Sequence, residues 1–146
     1  MVMKIQQLSI FLENKPGRLS SVCSTLAQAG INLTTLSLAD THQFGILRLI
    51  IREWQQAKQL LEECGYAVKV SDVIAMEVAD RPGGLANVLN IIENDGISVE
   101  YMYAFTIRKK ENAILVFRFD QMDKAIEVLQ SSGISLVPAT SIFRNN

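Results

Sequence analysis

The sequence predicts an α+β chain made of two copies of one βαββαβ unit, and three observations carry that prediction. The stretch Glu13-Asn14-Lys15-Pro16-Gly17-Arg18-Leu19 closes an alternating apolar run and opens a helically periodic one, and Asp80-Arg81-Pro82-Gly83-Gly84-Leu85 repeats it 66 residues later. The flanks repeat with it: Leu19, Val22, Cys23 and Leu26 fall on Leu85, Val88, Leu89 and Ile92, and Gly30-Ile31-Asn32-Leu33 falls on Gly96-Ile97-Ser98-Val99. Further on, Ile46-Leu47, Ala57, Leu61 and Gly65 match Ile114-Leu115, Ala125, Leu129 and Gly133 at an offset of 68. A chance Pro-Gly coincidence would not carry both blocks. The two residues gained between them belong in a loop, where insertions are tolerated best.

Each element has its own reason. Residues 5–12 alternate Leu8, Ile10 and Leu12 with Gln7, Ser9 and Phe11, as a two-faced strand does. Pro16 stands at the expected first helical position, so residues 16–29 form a helix burying Leu19, Val22, Cys23 and Leu26, with Gly30 as its C-terminal cap. Residues 32–40 alternate again, Thr41-His42-Gln43 forms a hairpin end, and residues 45–51 return antiparallel. Residues 53–64 form a second helix with Trp54, Ala57, Leu60, Leu61 and Cys64 inward, and residues 67–70 a fourth strand. The second copy reads likewise: strands at 73–78, 99–107, 113–119 and 134–143, helices at 82–95 and 122–132.

Such units are ferredoxin-like: four antiparallel strands with two helices on one face. The expected domains are 1–71 and 72–146, joined at Ser71-Asp72 without room for a flexible linker. A unit of about 70 residues with a bare second sheet face is expected to pair, copy with copy or chain with chain. The stripe Tyr101, Tyr103 and Phe105 is the candidate contact of a homodimer.

Composition narrows the function. With 49% hydrophobic and 20% charged residues in 146, the chain has a globular core, and a net charge of −1 offers no basic face for nucleic acid. No run of about 18 apolar residues and no cleavage site follow the alternating N-terminus, so the expectation is a cytoplasmic protein without a membrane partner. Cys23 and Cys64 lack metal or redox spacing and read as core filler, and the single histidine, His42, has no catalytic partner in view. Arg81-Pro82-Gly83-Gly84 lacks the Lys-Ser/Thr of a nucleotide loop. We therefore expect no enzyme, no cofactor and no metal site. The alternatives are an RNA-recognition-like module, whose element order is the same, and a purely structural interaction protein. Against RNA binding, the third strands lack the spaced aromatics that stack bases, although Arg108-Lys109-Lys110 follows the aromatic stripe.

On these residues the chain resembles a tandem of two ACT domains, regulatory modules that bind amino acids in metabolic enzymes. The resemblance covers nearly the whole chain and rests on the Pro-Gly turn, on Ala29-Gly30-Ile31-Asn32-Leu33, and on the echo of both. It implies an L-amino acid as small-molecule ligand, a homodimer, and a metabolic enzyme or regulator as partner. Serine-sensing members hold their ligand with Asn residues at the positions of Asn14 and Asn32; the position two before Asn14, a His in those members, is Leu12 here. The implied ligand set is Asn14, Lys15, Pro16, Gly17, Arg18, Leu19, Asn32 and Leu33, with Asp80, Gly83, Gly84, Leu85 and Ser98 in the second copy. Physical chemistry agrees at the turn, because a helix N-terminus offers free N–H groups and partial positive charge to a carboxylate, and neutral amides can serve both ends of a zwitterion. Asp80, a carboxylate already beside the second helix, is expected to make that site the weaker one.

Overall fold

The computed structural model describes residues 1–41, 43–106 and 108–143, so the expected hairpin position of His42 and the expected strand end at Ile107 lie outside the described residues. The described residues form two compact units: Gln6–Ser71, and Met1–Ile5 together with residues 72–143.

In the first unit, β1 (Ile5–Glu13), β3 (Phe44–Ile50) and β2 (Thr35–Asp40) pair antiparallel, with β4 (Ala67–Ala79) on the other side of β1. Register sets Leu8 opposite Leu49 and Ile10 opposite Leu47, with Leu36 and Leu38 beyond them, so these alternating leucines share one face. Helices α1 (Arg18–Gln28) and α2 (Trp54–Glu63) cover that face, burying Val22, Leu26, Ala57 and Leu61 on Leu8, Ile10, Leu12, Leu47 and Leu49. The edge strand lies beyond the helices, and Leu36 and Leu38 stay exposed. On the other sheet face Gln7, Thr35 and Ile50 are fully buried, with Thr35 opposite Ile50.

The second unit repeats the plan. β6 (Asn112–Phe119) lies between β4 and β5 (Val99–Ala104), and β7 (Leu136–Val137) pairs with β4 on its other side. Helices α3 (Gly84–Asn94) and α4 (Met122–Ser131) bury Val88, Ile92, Ala125 and Leu129 against Ile74, Met76, Phe117 and Phe119. Two expected strands differ. Residues 67–79 run as one strand through Ser71-Asp72, and the last strand stops at Val137, where Pro138 precedes the short helix α5 (Ala139–Ile142). Phe105 is buried and Tyr101 and Tyr103 are half-buried, so the aromatic stripe is not an open surface.

The first residues belong to this second unit. Met3 packs on its core, the Ala139 N–H donates to the Val2 carbonyl at 3.0 Å, and Lys4 pairs with Asp123 at 2.7 Å, which holds the Lys4 ammonium above its ordinary pKa. Deleting residues 1–4 is expected to cost about 1–2 kcal/mol through lost apolar burial and one backbone bond. Hydrogen exchange should place the loosening in α4 and α5, with α1 and α2 unchanged.

Candidate ligand site

The site is built by the turn that the sequence writes twice. At the first copy, the Lys15 N–H donates to the Glu13 carbonyl (2.8 Å), that of Arg18 to Lys15 (3.3 Å) and that of Ser21 to Gly17 (3.0 Å). The second copy reproduces each bond: Arg81 to Ala79 (3.0 Å), Gly84 to Arg81 (3.0 Å), Asn87 to Gly83 (3.0 Å). Gly17 and Gly83, at φ 90° and 87°, are the N-caps of α1 and α3, a left-handed conformation that a side chain would strain. The expected helix start at Pro16 therefore moves to Arg18. No side chain caps either helix, and the first-turn amides of Leu19 and Ser20, like those of Leu85 and Ala86, have no partner within their own helix.

Beside the first turn lies a cavity of 320 Å³ lined by Leu12, Glu13, Asn14, Lys15, Pro16, Arg18, Leu19, Leu38 and Gly45. Asn14 is fixed over it, its Nδ2 donating to the Thr41 carbonyl at 3.4 Å and its backbone N–H to that of Gln43 at 3.3 Å. Gly45 is buried beneath, where an added Cβ would stand 3.3 Å from both Asn14 Oδ1 and Leu38 Cδ1. Lys15 and Glu13 form a 2.9 Å ion pair, and the hydrogen bond and charge of Lys15, with the charge of Arg18, hold the Glu13 carboxyl below its ordinary pKa. Leu12, Leu38 and Gly45 join the site although nothing in the turn motif marks Leu38 or Gly45; the pairing of Leu38 with Leu47 and of Gly45 with Leu12 brings them in. A second pair of hollows flanks the turns on the other side. The one at Arg18 and Ser21 measures 340 Å³, and the one at Gly84 and Asn87 measures 480 Å³, larger where Gly84 and Ala79 replace Arg18 and Glu13.

The structure separates some of the expected ligand residues. Asn14, Lys15, Pro16, Gly17, Arg18 and Leu19 are together and exposed, but Asn32 and Leu33 follow the far end of α1. Eleven helical residues span about 16 Å. One amino acid, whose ammonium and carboxylate share one carbon, does not reach from Asn14 to the Asn32 of the same unit. Asp80, Gly83, Gly84 and Leu85 are likewise parted from Ser98 by α3, and the Ser98 N–H donates to Asp120 at 2.9 Å. Asp80 carries no naked charge: Arg108 pairs with it across the second hairpin.

Among the described residues no group of three or more His, Cys, Asp or Glu side chains is placed to hold a metal, and no helix is long and apolar enough to cross a membrane. Cys64, expected in the core, is exposed at the C-terminal end of α2.

Comparison with known proteins follows the fold. The family model described as an ACT domain pair matches residues 3–144. A solved protein of Bacteroides thetaiotaomicron is 40% identical, covers 97% of each chain and superposes with a TM-score of 0.88. The regulatory subunits of aspartate kinase from Thermus thermophilus and Thermus flavus, at 13% and 16% identity, superpose with TM-scores of 0.63 and 0.65 over 89% and 90% of this chain and 93% and 92% of theirs, which shows a shared fold. An acetolactate synthase small subunit from Buchnera aphidicola is 34% identical over 81 residues, 54% of this chain; the match spans half the length of that relative.

Proposed function

The chain belongs to the family of ACT domain pairs, and from that premise we propose that it is a non-catalytic regulatory protein that binds an L-amino acid at the first Pro-Gly turn and passes the signal to a partner enzyme or regulator. One observation carries the reading: the uncapped first turn of α1 and Asn14, one of whose amide N–H groups is held by Thr41, line the same 320 Å³ cavity. The amides and Arg18 suit a carboxylate, and the Asn14 Oδ1 suits an ammonium. That a relative is the small subunit of an enzyme supports an output through a partner protein. The RNA reading has no support at the aromatic stripe, since Phe105 is buried.

The proposed assembly is a homodimer in which a second copy supplies the Asn32 that the first cannot bring to its own turn. Apart from Met1 and Val2, the large exposed apolar side chains among the described residues are Phe11, Leu19, Leu36, Leu38 and Phe44, all in the first unit. Contact by this surface replaces the one expected from Tyr101, Tyr103 and Phe105. A thermal-shift screen of the twenty amino acids tests the ligand: saturation at a hundred times the dissociation constant adds roughly 2.7 kcal/mol of stability. Asn14→Ala and Asn32→Ala are each expected to weaken the bound amino acid by about 1–3 kcal/mol, the range for removing a partner from a charged group. If both variants bind like wild type in calorimetry, the site lies elsewhere; a monomer by light scattering with ligand present would sink the dimer.

A further inference from the structure

Building on the amino-acid reading, we propose that the first site selects ligands with an aliphatic side chain. The cavity wall that a ligand side chain would meet is made by Leu12, Leu19 and Leu38 with Pro16, beside a buried Gly45 where a Cβ would crowd Asn14 and Leu38. Leu19 and Leu38 are 39% and 53% exposed in the single chain, and an aliphatic ligand held at the proposed contact between two copies would cover part of that apolar surface. The charged groups offer a ligand side chain little. Glu13 and Lys15 neutralise one another at 2.9 Å, and Arg18, which has no ion pair among the described residues, is the cation assigned above to the ligand carboxylate. One N–H of the Asn14 amide donates to the Thr41 carbonyl, whereas Leu12, Pro16, Leu19 and Leu38 offer a ligand side chain no hydrogen-bond partner, so a polar side chain laid on that wall would lose water without a replacement.

The same wall is missing from the second copy. Ala104 pairs with Leu115 where Leu38 pairs with Leu47, and Ala113 pairs with Val78 where Gly45 pairs with Leu12. A leucine side chain is therefore lost and a Cβ added at the two positions that shape the first cavity. Selectivity for aliphatic side chains then belongs to one site per chain.

The test is calorimetry on the full chain at neutral pH with L-alanine, L-serine, L-aspartate, L-lysine, L-valine and L-leucine as probes. Valine or leucine is expected to bind on the order of 30-fold tighter than alanine, from the extra buried carbons. Leu38→Ala should remove most of that preference, read as the ratio of leucine to alanine affinity in the variant against the same ratio in wild type. Serine, aspartate or lysine binding ahead of the aliphatic probes would overturn the selectivity while leaving the amino-acid reading standing. Binding by none of the six would overturn both. A preference for leucine that survives intact in Leu38→Ala would overturn the placement of the side chain on this wall.

Discussion

Gly84→Ala is expected to destabilise the protein by about 2–3 kcal/mol, the cost of forcing an atom into a packed site. The Cβ would stand 2.0 Å from the Ala79 carbonyl oxygen and 3.1 Å from its carbon, and both are backbone. No rotamer change relieves such a contact; the second turn must open. Its closing bond, from the Gly84 N–H to Arg81, is 3.0 Å, against 3.3 Å for the bond from Arg18 to Lys15 in the first turn. The looser first turn admits a side chain, and Arg18→Ala, an exposed change, is expected to stay within about 0.5 kcal/mol. Urea unfolding of the two variants separates these outcomes. A Gly84→Ala midpoint equal to wild type would mean that the second turn opens without cost.

The repeat explains how much of this was legible. Leu8, Ile10 and Leu12 alternate because one strand face meets α1 and α2, and the Pro-Gly turns announce themselves because few other residues serve there. What escaped was set by backbone pairing or by distant partners. Polar Ser71-Asp72 looked like a break, yet strand bonds need no side chain, and β4 runs through it. The helix start was placed at Pro16 because proline favours first helical positions; the bond from Arg18 to Lys15 closes a tight turn first, and the left-handed Gly17 takes the cap. Asn14 and Asn32 looked like one pair because both carry amides, and only the direction of α1 shows them apart. Leu38, Gly45 and the ion pair of Arg108 with Asp80 reach the turns across 24, 31 and 28 residues of sequence, through strand register and hairpin closure. No local pattern encodes such distances.

The Asp80–Arg108 pair also revises the charge asymmetry expected between the copies. An acid at that position is held by an arginine in the second copy, and the exposed pair weakens its repulsion for a ligand carboxylate. The first copy can be made to show the unpaired case. Asn14→Asp would set a carboxylate beside the α1 N-terminus, where Lys15 is already engaged by Glu13 and only exposed Arg18 offsets it. Two like charges about 5 Å apart at an effective dielectric near 20 repel by roughly 3 kcal/mol. After partial offset, amino-acid binding is expected to fall on the order of 30- to 100-fold, and higher salt should recover part of the loss. Folding stability should change by less than about 1 kcal/mol, because a negative charge at a helix N-terminus is stabilising by about 0.3–1 kcal/mol while the Asn14 Nδ2 bond to the Thr41 carbonyl is lost. That separation is the diagnostic, since a variant that damaged the turn would lose binding and stability together. Calorimetry and urea unfolding on the same sample decide it: unchanged binding would take the ligand carboxylate away from this helix end, and a joint loss of binding and stability would show that something other than charge had been disturbed.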